Sequence, residues 1–87
     1  METDLKEVDF ELKAPQAKTV YVVGDFTAWE KKIRLRRFSS GLWKKRLALR
    51  SGRYEYKFVV DGEWRVDPVN DQTVYNSMGT LNSVKEL

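Results

Sequence analysis

The sequence contains neither cysteine nor histidine among its 87 residues. The lack of cysteine excludes disulfides, thiolate metal sites and thiol nucleophiles. The lack of histidine removes the commonest general base and the commonest metal ligand. We therefore expect no enzymatic activity, no catalytic residues, no metal site and no cofactor.

Carboxylates remain as candidates for glycoside hydrolysis, which two acidic side chains can perform as a pair. Asp25, Asp61, Glu63 and Asp67 are available for such a pair. However, Asp61 belongs to a predicted turn, Asp67 precedes a proline, and the sequence indicates no cleft. An enzyme is therefore the least favoured class of function.

Long apolar runs are also missing, since none approaches the roughly 18 residues that span a bilayer. The first ten residues, METDLKEVDF, are acidic and lack the apolar segment of a signal peptide. These features predict a cytoplasmic location and no membrane partner. The alternative is a fragment of a larger chain, which would lack a signal as well.

The net charge of +3 is unevenly distributed along the chain. Residues 1–13 hold five acids and two bases, whereas residues 31–53 hold ten bases and no acids. A basic block of this kind attracts nucleic acid in some proteins. We favour a solvated sheet face, in which lysine and arginine also protect strand edges from aggregation.

Apolar and polar residues alternate through most of the sequence, which is typical of half-buried strands. Asp67-Pro68 is expected to end the last hairpin strand, because proline cannot donate to a ladder, and a polar loop is expected to follow to about Gly79. The pattern predicts a single all-β domain over residues 1–87, an immunoglobulin-like antiparallel β-sandwich. The predicted strands lie at residues 8–12, 19–23, 33–36, 42–49, 54–60, 63–66 and 81–87.

The dipeptide Asp61-Gly62 between two alternating segments predicts a β-hairpin with a two-residue loop. In that register Val59 pairs with Trp64, and Trp64 shares a sheet face with Lys57. Tyr54, Tyr56, Phe58 and Val60 then form the opposite, core face. We therefore expect Trp64 to point outward as a diagonal neighbour of Lys57.

The same register creates one conflict, because it places Arg65 opposite Phe58 on the core face. Arg65 escapes this conflict if it lies at a sheet edge. A longer loop that shifts the register by one residue would instead turn Trp64 into the core.

The other two tryptophans differ in their surroundings. Trp29 follows Gly24 and Asp25, which interrupt a strand, so it is expected in a loop, where binding groups concentrate. Trp43 is in phase with apolar residues of its own strand and is expected in the core. Phe26 is expected to fill the core from the loop.

The segment 76–82 is polar except for Met78 and Leu81. If Leu81 is buried, the neighbouring Thr80 and Asn82 are expected to face solvent, where an amide suits a pair of sugar hydroxyls. The alternative is a turn-rich loop that satisfies only its own backbone.

Three motifs occur in order along the chain: VYVVGDFTAW, SGRYEYKFVVDGEWRVDP and MGTLN. Together they resemble the family 48 carbohydrate-binding modules, which include the glycogen-binding domain of AMP-activated protein kinase β subunits and N-terminal modules of isoamylases, pullulanases and branching enzymes. The resemblance covers residues 17–85. It implies an immunoglobulin-like β-sandwich that binds glycogen, starch and other α-1,4-linked glucans.

The resemblance also implies a set of sugar-binding residues. Two tryptophans stack on glucose rings, a lysine reaches sugar hydroxyls, and an apolar side chain, leucine in the kinase members, packs against the glucan. A threonine and an asparagine complete the set. At the matching positions this sequence has Trp29, Trp64, Lys57, Met78, Thr80 and Asn82.

The preferred hypothesis is a noncatalytic module that binds α-glucan polysaccharides or oligosaccharides. A second hypothesis is a protein-interaction or scaffold domain, with a glycogen-metabolising enzyme or kinase as partner in the same chain or complex. A third, nucleic-acid binding through residues 31–53, is less favoured. It predicts an affinity that falls steeply with salt, unlike ring stacking.

Overall fold

A computed structural model describes residues 5–87, which form nine strands and one short 3-10 turn. The turn, Asp25–Thr27, follows directly after the second strand. The strands are β1 Leu5–Lys13, β2 Val20–Gly24, β3 Ile33–Arg34, β4 Arg36–Arg37, β5 Leu42–Arg50, β6 Arg53–Val60, β7 Glu63–Arg65, β8 Thr73–Tyr75 and β9 Leu81–Glu86.

The strands form two antiparallel sheets. One sheet has the order β1-β5-β4, and the other has the order β3-β2-β6-β9-β8 with β7 also paired to β6. Aromatic rings meet between them, with Phe10 of β1 and Tyr56 of β6 in edge contact at a centroid distance of 5.1 Å. The predicted β-sandwich is confirmed. Its core comprises Val8, Phe10, Leu12, Ala17, Val20, Val22, Leu35, Trp43, Tyr56, Phe58 and Val60.

The segment 33–36 was expected to form one strand, and the structure divides it between the two sheets. β3 pairs with β2, whereas β4 pairs with β5. Leu35 lies at the crossing, where it is 1% exposed and its N–H donates to the carbonyl of Val20 at 2.8 Å. Burial of this one leucine therefore anchors the chain as it passes from one sheet to the other.

The core assignments of two aromatic residues agree with the structure. Trp43 is 3% exposed, and its Nε1 donates to the carbonyl of Ala14 at 2.9 Å. Phe26 packs from the loop against Phe10, with ring centroids 5.2 Å apart. Trp43 is therefore a core residue with a satisfied indole, as its position in the strand predicts.

The polar loop expected after Asp67-Pro68, to about Gly79, is interrupted by a strand. β8 pairs with β9 in antiparallel register, with Val74 opposite Asn82. β8 has only three residues, too few for alternation to be recognised in a polar sequence. The strand exists because β9 offers an edge with which it can pair.

Asp67, just after the β6–β7 hairpin, is buried. The Tyr56 hydroxyl donates to Asp67 Oδ2 at 2.6 Å, and Asn70 Nδ2 donates to the same hydroxyl at 3.0 Å. The backbone N–H of Asp67 donates to Ser83 Oγ at 2.8 Å. Burial, together with the hydrogen bond to Asp67, raises the pKa of Tyr56. This network connects the chain after β7 to the core.

Acidic and basic segments meet on the outer face of the three-stranded sheet. Arg46 of β5 bonds Asp9 of β1 at 2.9 Å, and Lys44 lies 3.7 Å from Glu11. The hydrogen bond from Arg46 lowers the pKa of Asp9. Much of the positive charge of β5 is thus balanced by acidic side chains of β1. This pairing supports the interpretation of the basic segment 31–53 as a solvated sheet face.

The hairpin between β6 and β7 has the predicted two-residue loop. Asp61 and Gly62 adopt φ angles of 49° and 87°, as a type I′ turn requires. Val59 pairs with Trp64, and Phe58 pairs with Arg65. The conflict at Arg65 is resolved at the sheet edge, where its exposed guanidinium lies 3.3 Å from Glu63 Oε1.

Candidate functional site

An open groove of about 850 Å³ lies over one face of the six-stranded sheet. It contains all six residues that the sequence predicts to bind sugar, together with four others. Its lining is formed by Trp29, Glu55, Lys57, Trp64, Tyr75, Asn76, Ser77, Met78, Thr80 and Asn82.

Trp64 reaches the groove because of the hairpin register. It stands opposite Val59 on the face that points away from the core, and 52% of its surface is exposed. Val59, its cross-strand partner on the same face, is only 2% exposed. The sheet face beside the tryptophan is therefore shielded from solvent. The prediction that Trp64 points outward is confirmed.

Trp29 reaches the groove from the loop after β2, where its backbone is left-handed with φ of 59°. Its indole Nε1 donates to Asp25 Oδ1 at 2.8 Å. The other carboxylate oxygen of Asp25 accepts the backbone N–H of Glu55 at 2.8 Å. One carboxylate therefore connects the half-buried indole to strand β6.

The residues before Trp29 explain why the loop has this shape. Gly24 lies so close to β6 that an added Cβ would be 2.5 Å from the Glu55 carbonyl oxygen. The Thr27 hydroxyl donates to the Gly24 carbonyl at 2.9 Å and accepts its N–H at 3.3 Å. Close contact at Gly24 thus brings the loop against the strand that carries Lys57.

Lys57 and Thr80 form the polar side of the groove. Lys57 Nζ donates to Thr80 Oγ1 at 3.0 Å, and Asn76 Nδ2 donates to the same oxygen at 2.7 Å. Because the hydroxyl oxygen accepts two hydrogen bonds, its proton remains to be donated to a third group. Lys57 is half-buried, and its ammonium has further protons for the same purpose.

Asn82 was expected to face solvent, and the structure instead leaves only 5% of it exposed. Its Nδ2 donates to Glu55 Oε1 at 2.9 Å, and its Oδ1 accepts from Asn76 Nδ2 at 3.2 Å. The expectation is wrong because both ends of the amide already have partners, one on strand β6 and one in the loop after β8. Asn82 lines the groove mainly as a support for Glu55 and Asn76.

Met78 lies at the tip of the loop between β8 and β9, with 85% of its surface exposed. Asn76 holds this loop, since its Oδ1 accepts the N–H of Met78 at 2.9 Å and of Thr80 at 3.1 Å. Gly79 supplies the positive φ of 83° that closes the turn. The loop thus presents an apolar side chain from a hydrogen-bonded backbone.

Sequence reasoning missed several residues that build this site. Asn76 precedes Met78 by two residues, which is the spacing of an Asx turn and was a usable signal. Tyr75 is 73% exposed, and the missed strand β8 places it on the groove lining. Glu55 acts through contacts with Asp25 and Asn82, which lie 30 and 27 residues away in sequence, so no local pattern reveals its role.

Other features of residues 5–87 are weaker candidates for a functional site. A second open pocket of about 500 Å³ lies at Asp67, Val69, Asn70, Gln72, Val84, Lys85 and Glu86, away from every predicted site residue. Within the described part of the chain, no group of three or more acidic side chains is arranged to hold a metal ion. No helix in that part is long and apolar enough to cross a membrane.

The groove on this β-sandwich brings Trp64 of β7 and Trp29 of a loop beside the hydrogen-bonded side chains of Lys57 and Thr80. Such an arrangement is typical of noncatalytic carbohydrate-binding modules. The chain belongs to the family described as the glycogen recognition site of AMP-activated protein kinase, whose family model matches residues 7–87.

Relatives come from plants and animals. The chain is 38% identical over 53 residues to Protein PTST homolog 2, chloroplastic, of Arabidopsis thaliana, which covers 61% of this chain and 10% of that protein. It is 35% identical over 79 residues to the amyloplastic phosphoglucan phosphatase DSP4 of Castanea sativa, covering 90% of this chain and 21% of the phosphatase. It is 39% identical over 67 residues to the 5'-AMP-activated protein kinase subunit beta-1 of Sus scrofa, covering 77% of this chain and 52% of the subunit.

Solved structures share the fold. A maltogenic amylase from S. marinus superposes with a TM-score of 0.75 at 27% identity, covering 93% of this chain and 13% of the amylase. The enterobactin esterase FES from Shigella flexneri superposes with a TM-score of 0.83 and covers 100% of this chain and 31% of the esterase. At 18% identity, the likeness to the esterase concerns the fold alone.

The predicted cytoplasmic location is contradicted by these comparisons. Protein PTST and its homolog 2, FLOURY ENDOSPERM 6 and the phosphatase DSP4 are all named as chloroplastic or amyloplastic proteins. The prediction depended on the composition of the first ten residues. The chain spans 10% of the first two relatives and 20% of Protein PTST, so those residues are a poor guide to location.

Proposed function

We propose that this chain binds α-1,4-linked glucans, such as glycogen, starch, maltooligosaccharides and cyclodextrin, in the groove between Trp29 and Trp64. The observation that carries the proposal is the meeting of both tryptophans, from separate segments of the chain, in one groove with Lys57 and Thr80. The family to which the chain belongs supports the same ligand class.

The chemistry of the groove suits a sugar. A pyranose ring has an apolar face of C–H groups, which stacks on an indole, and a rim of hydroxyls that need donors and acceptors. Trp29 and Trp64 supply the stacking surfaces, and Met78 packs against the same apolar faces. The ammonium of Lys57 and the hydroxyl of Thr80 bond the rim.

Asn82 has a supporting role in this proposal. Its amide joins Glu55 to Asn76, and Asn76 in turn holds the backbone of the loop that presents Met78. We expect a dissociation constant between millimolar and micromolar, or about 4 to 8 kcal/mol of binding free energy.

Titration with β-cyclodextrin, followed by tryptophan fluorescence, tests the proposal. Addition of sugar should change the emission of the native chain, and Trp64→Ala should abolish measurable binding while the fold is retained. Phe38→Ala is the matched control, because Phe38 is a 43% exposed aromatic residue outside the groove. An unchanged emission at high millimolar sugar, or equal loss of binding in both variants, contradicts the proposal.

A second role follows from the length of the relatives. The domain occurs in proteins named as a kinase subunit and as a phosphoglucan phosphatase, of which it covers 52% and 21%. We therefore propose that the domain, itself noncatalytic, holds an attached or associated glucan-metabolising enzyme or kinase on its polysaccharide. Capture of such a partner that persists in Trp64→Ala would indicate a scaffold role separate from sugar binding.

Salt distinguishes these roles from nucleic-acid binding. Ring stacking should be nearly indifferent to salt, whereas contacts with phosphates weaken steeply as salt rises. Fluorescence titrations at low and high salt should therefore give closely similar cyclodextrin affinities. In a parallel titration with single-stranded nucleic acid, tight binding that weakens steeply as salt rises would favour the nucleic-acid hypothesis.

A further inference from the structure

We propose that Met78 is a site of reversible oxidation, and that its sulfoxide weakens glucan binding. The inference rests on the proposed function, because it concerns the same groove. It adds a chemical modification that controls how well the groove holds its ligand.

Met78 is accessible to an oxidant in solution. Met78 is 85% exposed, and it lies on the lining of the groove. The sequence contains two methionines and no cysteine, and the other methionine is Met1. Within residues 5–87, Met78 therefore carries the only sulfur atom, so an oxidant that reacts with sulfur has one target there.

The second observation is that the loop backbone does not depend on the methionine side chain. The N–H groups of Met78 and Thr80 are held by Asn76 Oδ1, and Asn76 N–H donates to the Thr80 carbonyl at 2.8 Å. The Gly79 N–H donates to the Asn76 carbonyl at 3.1 Å. Oxidation of an exposed side chain should leave these bonds in place, so its effect should fall on binding and not on folding.

The reaction requires a two-electron oxidant, and hydrogen peroxide is the class we name. The thioether sulfur attacks one peroxide oxygen, the O–O bond breaks, and the sulfoxide forms as water leaves. The sulfur is oxidised and the peroxide is reduced. Methionine sulfoxide reductases reverse the modification, which makes it suitable for a switch.

The product opposes binding for a physical reason. A sulfoxide is polar, and pressing it against the C–H face of a sugar removes water from it without supplying a hydrogen-bond donor. We expect the dissociation constant to rise by about fivefold or more. Conversely, a bound glucan covers Met78 and should slow its oxidation.

The experiment treats the full chain with dilute hydrogen peroxide and confirms by peptide mass spectrometry that Met78 has gained one oxygen. Calorimetric titration with β-cyclodextrin should then show weaker binding, which a methionine sulfoxide reductase restores. Treated and untreated Met78→Leu should bind equally, which controls for oxidation elsewhere. β-Cyclodextrin should also lower the oxidation rate of Met78 in the native chain.

Failure of the proposed function and failure of this inference would give different results. If the untreated native chain does not bind β-cyclodextrin, the proposed function fails. If it binds, and fully oxidised Met78 binds as tightly as before, the modification has no role and this inference is overturned. An equal loss of binding in treated Met78→Leu would also overturn it, since another residue would then be responsible.

Discussion

Trp29 and Asp25 are joined by a hydrogen bond of 2.8 Å between the indole Nε1 and the carboxylate Oδ1. The second oxygen of Asp25 accepts the N–H of Glu55, a residue of the strand that also carries Lys57. The orientation of one stacking surface is thus linked to the strand that supplies the polar contact. Asp25 is therefore a positioning residue for the groove.

Asp25→Ala should weaken cyclodextrin binding by about tenfold or more, because the Trp29 indole loses a hydrogen bond to a charged group, which contributes about 1.5–3 kcal/mol. Calorimetric titration measures the affinity, and Asp71→Ala, at an exposed acid outside the groove, is the control. Because Asp25 acts through Trp29, Asp25→Ala should add little to the loss already caused by Trp29→Ala. Fully additive losses in the double variant would contradict this role.

Gly24→Ala should destabilise the fold by about 1–3 kcal/mol, the usual cost of overpacking. The backbone at Gly24 is extended, with φ of −174°, so conformation is not the cause. The added Cβ would instead meet the Glu55 carbonyl oxygen at 2.5 Å and Tyr56 Cβ at 2.9 Å. Urea unfolding measures the effect.

Gly79→Ala is the contrasting variant, because Gly79 has open space around its Cβ position and a φ of +83°. Its cost should come from the left-handed backbone alone, about 1–2 kcal/mol, and it should disturb the Met78 loop locally. Retention of full cyclodextrin affinity by Gly79→Ala would contradict the requirement for this turn in the site.

Tyr56→Phe should cost about 1–3 kcal/mol of unfolding free energy, since it leaves the buried carboxylate of Asp67 without its hydroxyl donor. Tyr54→Phe is the matched control, because the Tyr54 hydroxyl donates to the Arg50 carbonyl at 2.9 Å in an exposed position, where water can replace it. Chemical denaturation of both variants gives the comparison. A larger loss for Tyr54→Phe would show that the network at Asp67 contributes little.

Acid should destabilise the fold partly through Asp61. Hydrogen bonds from the backbone N–H groups of Thr19 and Lys18 lower the pKa of Asp61 below its ordinary value of 3.8. A carboxyl whose folded pKa is depressed contributes stability that is fully present above its unfolded pKa and is lost as pH falls through the folded pKa. The stabilisation should therefore be constant above about pH 5 and decline below about pH 4.

Asp61→Asn tests this prediction, because asparagine tolerates the left-handed φ of 49° at that position. The variant should lose less stability than the native chain between pH 6 and pH 3, as measured by urea midpoints. Some acid sensitivity should remain, since the pKa of Asp9 is also lowered by Arg46. Identical pH profiles for both chains would show that Asp61 does not contribute.

The outward position of Trp64 was determined by the sequence alone. Alternation identifies Tyr56 and Phe58 as core residues, and the Asp61-Gly62 loop sets the register that turns Trp64 to the other face. The same local rules place Trp43 in the core. These features depend on periodicity and turn chemistry, which a linear sequence carries directly.

Only the tertiary structure decided how the groove is assembled. The Glu55 contacts with Asp25 and Asn82 join residues 30 and 27 positions apart, and the strand β8 forms only because β9 lies beside it. The passage of the chain between sheets at Leu35 is of the same kind. Hydrogen bonds and burial between distant segments have no periodic signature, so they appear only when the strands assemble into sheets and the sheets pack.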